Sequence, residues 1–233
     1  MSALTNAYAD RDIRQREIVP PAKLAASHAL VVGVGAIGRQ VALQLAAMGV
    51  PALDLVDHDT VGVENLAPQG YWPADIGKNK VNVTAALLAN INPDLSVAAH
   101  ADRFKRSSPK TLASFDLKSA RAPIVFACVD DMDTRRMIWE TVRGRARFFV
   151  DARMSAETLR VLAVGFPAMD RYYATTLFAH AEALVGSCTA KSTIYTASIA
   201  AGLMVGQFTK WLRGLPVERD LSLNLLAAEL VCQ

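Results

Sequence analysis

Short apolar runs alternate with segments of helical spacing from residue 28 to residue 152. Continuous apolar runs are typical of buried parallel strands, and they predict strands at 28–34, 52–57, 95–99, 123–128 and 147–152. Apolar residues that recur every three to four positions predict helices at 35–48, 78–90 and 133–144. This alternation predicts an α/β fold with a Rossmann-like, mainly parallel sheet and helices on both faces.

The pattern changes after Asp151. We expect antiparallel strands at 158–166 and 172–178, a long helix at 193–212 and a last strand within 220–230. No linker-like stretch interrupts the chain. We therefore expect a single domain over residues 1–233, with a first half of about 28–152 and a second half of about 153–233.

Composition narrows the classes of function. The chain has 233 residues, and 52% of them are hydrophobic, which excludes a disordered chain. Because 25 basic residues face 22 acidic ones, no charge excess indicates binding to nucleic acid or to a membrane. The three cysteines form no C-x-x-C pair, so we expect neither disulfides nor a structural zinc. With no signal-peptide pattern and no apolar run long enough to span a bilayer, we expect a cytoplasmic protein.

A glycine-rich loop is the first sign of chemistry. The sequence 33–38 is G-x-G-x-x-G between a predicted strand and a predicted helix, the setting in which backbone amides approach a nucleotide phosphate. Asp57 ends the next predicted strand, where a carboxylate can hold ribose hydroxyls. These features alone fit either NAD or ATP.

The residues that follow favour Mg·ATP. Asp59 adds a second carboxylate, and Lys80 lies near a predicted helix start, where a lysine can neutralise phosphate oxygens. Asp130 follows the fourth predicted strand and is our candidate ligand for Mg²⁺. An NAD(P)-dependent oxidoreductase remains the alternative, but the loop and Asp57 are its whole support.

In their order, these motifs resemble the ThiF/MoeB/ubiquitin-activating enzyme superfamily from about Arg11 to Gly214, in a compact member of bacterial type. The matching segments are R-x-x-R-Q at 11–15, the glycine loop at 33–38, D-x-D-x-V at 57–61, N-L-x-R-Q at 65–69, D-I-G-x-x-K at 75–80 and D-[ND]-x-x-x-R at 130–135. The resemblance implies ATP-dependent adenylation of the C-terminal glycine of a ubiquitin-like protein.

The resemblance also implies roles for individual residues. Arg14 is expected to enter the ATP site of a partner subunit, which implies a homodimer; a solvated Arg14 is the alternative. The expected nucleotide-binding residues are Gly33, Gly35, Ala36, Ile37, Gly38, Asp57, Asp59, Asn65, Gln69 and Lys80, with Mg²⁺ on Asp130.

The chain departs from these motifs at Pro68, where N-L-x-R-Q has an arginine that in the family reaches the ATP phosphates. Arg16, Lys78 and Arg103 are candidates to replace it. The departure also leaves open a non-catalytic scaffold subunit.

Cys188 lies in a G-S-C-T sequence before the long predicted helix. Members of the family often have a cysteine at this point, and in ubiquitin-activating enzymes it takes the acyl group as a thioester. A thiol near a helix N-terminus and Lys191 can have a lowered pKa. This predicts thioester formation on Cys188 and transfer to a conjugating enzyme. The alternatives are a spectator thiol and a sulfur-carrier adenylyltransferase of the thiamin or molybdopterin type.

Overall fold

One eight-stranded sheet organises the protein. The computed structural model describes residues 10–115, 121–165, 170–178 and 192–233. The strands are β1 Ser27–Val32, β2 Ala52–Val56, β3 Ser96–His100, β4 Ala122–Ala127, β5 Phe148–Ser155, β6 Thr158–Val164, β7 Asp220–Asn224 and β8 Glu229–Cys232. The helices are α1 Pro21–Ala25, α2 Ala36–Met48, α3 Leu66–Gln69, α4 Lys80–Ile91, α5 Met132–Val142, α6 Asp170–Thr175 and α7 Ile194–Arg213.

The strand order is β3-β2-β1-β4-β5-β6-β7-β8. The first five strands in this order run parallel, and β6, β7 and β8 continue the sheet in antiparallel pairs. The predicted Rossmann-like architecture is therefore confirmed. Because β1, β2 and β4 are parallel neighbours, their carboxyl ends meet at one edge, which is where open α/β sheets bind ligands.

Helices cover both faces of the sheet. Val31 of β1 faces a cluster that contains Leu45 of α2 and Phe208 of α7. Its neighbour Leu30 faces the opposite cluster, with Trp139 of α5. This alternation follows from the pleat, which turns successive side chains to opposite faces. Within the residues that the structure describes, no helix has the length and apolar character needed to cross a membrane.

The prediction of a strand at 172–178 is wrong, because α6 occupies this region. Tyr173 is buried, and its ring lies 4.8 Å from that of Trp139 and 4.9 Å from that of Phe149. Both partners are distant in sequence, so tertiary packing overrides the local preference of a Tyr- and Thr-rich segment for strand.

The prediction of one last strand at 220–230 is confirmed only for its first part, because β7 ends at Asn224 and a hairpin joins it to β8. The side-chain oxygen of Asn224 accepts hydrogen bonds from the backbone N–H groups of Leu226 and Ala227. Ala228 then adopts a φ of 54°. An asparagine that bonds to its own backbone two residues on is a turn former, and here it reverses the chain.

Candidate nucleotide-binding site

A cavity of about 640 Å³ opens at the carboxyl ends of β1, β2 and β4. Nine residues predicted from the sequence line it: Gly33, Gly35, Ala36, Ile37, Asp57, Asp59, Gln69, Lys80 and Asp130. Segments as far apart as 33 and 130 in the chain therefore meet at one place.

The glycine loop is shaped by close backbone contacts. Gly33 has a φ of 87°, and a Cβ there would lie 2.6 Å from the carbonyl oxygen of Cys128. A Cβ on Gly38 would lie 1.8 Å from the carbonyl oxygen of Gly33, so Gly38 acts by letting the loop fold back on itself. Helix α2 begins directly after Gly35, and no described side chain caps it. Its first N–H groups are thus available to an anion.

Asp57 joins the glycine loop to the end of β2. One of its carboxylate oxygens accepts a hydrogen bond from the Val34 N–H at 2.6 Å, and the other accepts from the Asp59 N–H at 2.8 Å. An ionised carboxylate offers about four acceptor positions, so it can still accept hydrogen bonds from ribose hydroxyls.

Asp59 and Lys80 form an ion pair inside the cavity. The Lys80 Nζ lies 2.9 Å from a carboxylate oxygen of Asp59, and the Lys80 side chain is only 7% exposed. Burial raises the pKa of the Asp59 carboxyl. The hydrogen bond and charge of Lys80, together with the charges of His58 and Arg103, lower this pKa by more than burial raises it. The net pKa of Asp59 therefore lies below its usual value. Lys80 is therefore neutralised by Asp59 before any nucleotide binds.

Asp130 and Asp131 play different structural roles. Asp131 accepts a hydrogen bond from the Thr134 N–H at 2.7 Å and so caps α5. Asp130 is exposed to the cavity, and its carboxylate contacts no hydrogen-bond donor or cation among the described residues. A free carboxylate on the cavity wall is the ligand type that Mg²⁺ prefers. The residues present therefore fit a magnesium ion held by Asp130.

A buried ion-pair network forms the back wall of the cavity, and Arg135 in it was not singled out as a site residue. Asp151 is fully buried between Arg135 and Arg153. Burial lowers the pKa of Arg135 to about 10. Arg153 also donates hydrogen bonds to the Thr176 carbonyl and hydroxyl oxygens at 2.7 and 3.0 Å, which fixes the chain after α6.

Three predicted site residues in the described part of the chain, Gly38, Asn65 and Arg14, do not line the cavity. Gly38 lies beneath the loop, and the Asn65 side chain accepts a hydrogen bond from the Gly62 N–H at 2.9 Å. Cys188 lies outside the described residues. Arg14 is exposed and lies on the N-terminal segment.

Arg14 belongs to a segment that packs against the far end of α2. Neighbouring Arg11 and Gln15 donate hydrogen bonds to the carbonyls of residues 46–48, which end this helix. The glycine loop lies at the other end, and a 13-residue helix spans about 20 Å. Arg14 therefore cannot reach the cavity of its own chain.

The two described cysteines are poor candidates for a nucleophile in this cavity. Cys128 lies on the cavity floor, and burial raises the pKa of its thiol to about 12, so the thiol stays protonated near neutral pH. Cys232 ends the exposed strand β8.

Comparisons with known proteins identify the family of the chain. A model described as the ThiF family matches residues 10–230. The sulfur carrier protein ThiS adenylyltransferase of Escherichia coli strain K12 is 36% identical over 117 residues, which are 50% of this chain and 44% of that protein. The ubiquitin-like modifier-activating enzyme 5 of Bombyx mori is 33% identical over 114 residues, which are 46% of this chain and 29% of that protein. The match thus spans less than half the length of these relatives. The crystal structure of PaaA has a TM-score of 0.74 at 19% identity and covers 100% of this chain and 84% of that one.

Proposed function

Since the chain belongs to the ThiF family, as its motif order predicts, we propose that it is an adenylyltransferase that activates the C-terminal glycine of a ubiquitin-like protein with ATP. The observation that carries the proposal is the meeting of the glycine loop with Asp57, Lys80 and Asp130 around one cavity. A dehydrogenase needs the glycine loop and Asp57, but its reaction has no role for Lys80 and Asp130.

The reaction needs no general base. The terminal carboxylate of the partner is already an anion and attacks the α-phosphorus of ATP. A new P–O bond forms, the bond to the β-phosphate oxygen breaks, and pyrophosphate leaves with that electron pair. The products are an acyl-adenylate and pyrophosphate. The groups of the chain act by position and charge, because the developing negative charge lies on phosphate oxygens.

Each residue has a distinct role in this proposal. Asp57 holds the ribose, and the amides at the start of α2 bind a phosphate. When the nucleotide binds, Lys80 leaves its ion pair with Asp59 and pairs with phosphate oxygens. Asp130 holds Mg²⁺, which neutralises phosphate charge when it is bound.

The proposed assembly is a homodimer in which Arg14 of one copy completes the site of the other. Its support is the position of Arg14, exposed and at the far end of α2 from its own cavity. Exposed apolar side chains at the start of α7, namely Ile194, Tyr195 and Ile199, offer surface to a second copy.

Nucleotide binding tests the proposed function without a partner protein. A ligand at 100 times its dissociation constant adds ~2.7 kcal/mol of apparent stability. We expect a thermal shift with Mg·ATP and none with NAD⁺ or NADP⁺. Lys80→Ala should reduce the shift by about half, as a tenfold loss of affinity would. Lys78→Ala is the matched control, because Lys78 is 60% exposed and does not line the cavity. A shift with a dinucleotide alone would make the protein an oxidoreductase instead.

The finer proposal is that Cys188 accepts the acyl group and passes it to a conjugating enzyme. The thiolate would attack the acyl carbon, the bond to the AMP oxygen would break, and AMP would leave. Cys188→Ala should then retain adenylate formation and lose the thioester, measured as a thiol-sensitive adduct with the ubiquitin-like protein on a gel. Cys128→Ala should retain both.

A sulfur-carrier adenylyltransferase is the second candidate, since the ThiS adenylyltransferase relative matches the chain as well as the ubiquitin-like activating relative does. Acyl transfer that persists in Cys188→Ala would favour it. A scaffold subunit is the third candidate, and Pro68 is its support. Adenylate formation by the purified chain alone would exclude a scaffold.

A further inference from the structure

The cations that line the nucleotide cavity are almost all neutralised by other parts of the chain. Four basic side chains line it within the described residues: Lys80, Arg103, Arg135 and Arg153. Lys80 is paired with Asp59, while Arg135 and Arg153 share Asp151. ATP brings several negative charges. Of these four side chains, only Arg103 has no ion-pair partner among the described residues.

The segment after β3 places Arg103, an exposed residue, in the wall of the cavity. The carboxylate of Asp102 accepts a hydrogen bond from the Arg103 backbone N–H at 2.7 Å and pairs with the Lys105 Nζ at 2.8 Å. Phe104 is buried and anchors the segment. No carboxylate or carbonyl in the described ranges binds the Arg103 guanidinium itself. The backbone of Arg103 is thus fixed by Asp102, while its side chain has no hydrogen-bond or ion-pair partner among the described residues.

Arg103 and Lys80 both line this cavity. Its charge acts on the carboxylate of Asp59, although more weakly than the charges of Lys80 and His58. Asp59 therefore forms its ion pair with Lys80 and feels the charge of Arg103 only at longer range. A polyanion that takes Lys80 away from Asp59 enters the field of Arg103 as well.

The other candidates for the missing arginine at position 68 lie elsewhere. Arg16 pairs with Asp12 at 2.8 Å on the N-terminal segment. Lys78 lines a separate cavity between α2 and α4, 3.8 Å from Asp75. Arg39 is buried beside α3, with its guanidinium on the ring of Tyr71, and opens into that separate cavity too. Only Arg103, of these four, lines the nucleotide cavity.

We propose that Arg103 binds the phosphate groups of the nucleotide and supplies the positive charge that Pro68 removes from this site. The proposal rests on the proposed function and adds to it a binding residue from the loop after β3. It also removes the main support for a scaffold subunit, because the site regains a free cation from a different element.

The test compares nucleotides that differ only in their phosphates. Binding of adenosine, AMP and ADP to the full chain is measured by calorimetry for the wild type, Arg103→Ala, Arg103→Lys and Lys110→Ala. A charged hydrogen bond contributes ~1.5–3 kcal/mol, so Arg103→Ala should weaken ADP binding about tenfold or more. AMP should lose less and adenosine nothing. Arg103→Lys should keep part of the affinity. Lys110→Ala removes the same charge from the same basic segment, from an exposed residue that does not line the cavity, and should change none of the three.

Each other outcome contradicts the proposal in its own way. Equal losses for adenosine and ADP would place Arg103 on the base or ribose. Unchanged ADP binding in Arg103→Ala, beside normal binding by the wild type, would overturn this inference and leave the proposed function standing. A wild type that binds neither ADP nor ATP would overturn both.

Discussion

Replacing Asp130 with asparagine should lower the rate of adenylate formation by at least ~10²-fold and leave the fold unchanged. The side chain is exposed to the cavity and forms no hydrogen bond or ion pair with a described residue, so its replacement should leave the fold intact. Asparagine keeps the size and removes the charge that would hold Mg²⁺. A second readout needs no partner protein: Mg²⁺ should tighten ATP binding to the wild type and have little effect on Asp130→Asn.

Asp133→Asn is the matched control for this prediction. Asp133 lies three residues further on, in the exposed first turn of α5, and does not line the cavity. If Asp130→Asn formed the adenylate at the wild-type rate, or responded to Mg²⁺ as the wild type does, Asp130 would not hold the metal.

The same variant also tests the proposed homodimer. Asp130→Asn and Arg14→Ala chains should each be inactive alone. In a mixed dimer, one site combines an intact Asp130 with an intact Arg14 of the other copy. Mixing equal amounts should therefore restore roughly a quarter of the wild-type rate, as expected for random pairing of two chains. Activity that does not return on mixing would place Arg14 outside the partner's site.

The glycine loop could be predicted because its chemistry is local. Gly33, Gly35 and Gly38 fall within six consecutive residues, and the structure gives Gly33 and Gly38 a steric reason to be glycine. The parallel strands could be predicted because burial on both faces requires continuous apolar runs. Asp57 and Asp130 followed from these, since the end of a strand fixes the edge of the sheet at which a residue lies.

Arg103 could not be assigned from the sequence. It lies among four basic residues between 103 and 110, a pattern typical of a solvated surface, and the sequence does not distinguish it from Arg16 and Lys78 as a replacement for the arginine at position 68. Lys105 forms an ion pair with Asp102, and the Arg106 guanidinium lies 2.7 Å from a carboxylate oxygen of Glu140. These pairings depend on the turn after β3 and on the packing of α5, which no spacing rule encodes. The helix at Asp170–Thr175 escaped prediction for the same reason, because Tyr173 is placed by Trp139 and Phe149.

Arg135 should be the most sensitive charged residue for stability. It is 3% exposed and ion-pairs with the fully buried Asp151. It also donates hydrogen bonds to the carbonyls of Val129 and Ala152. Removing one partner leaves a buried charge and two carbonyls without their donor. Arg135→Met should therefore lower the free energy of unfolding by ~3–5 kcal/mol, measured by urea denaturation.

Arg143→Met provides the control, because this arginine follows the same helix and is exposed. Exposed substitutions of this kind usually change the free energy of unfolding by less than about 0.5 kcal/mol. If Arg135→Met does not accumulate as folded protein, Arg135→Lys keeps the charge but loses the guanidinium fork, and it should lose part of the stability. Equal stability of Arg135→Met and Arg143→Met would mean that Arg153 alone neutralises Asp151. In that case the back wall of the cavity would hold its shape without Arg135, and the D-[ND]-x-x-x-R arginine would have no structural role here.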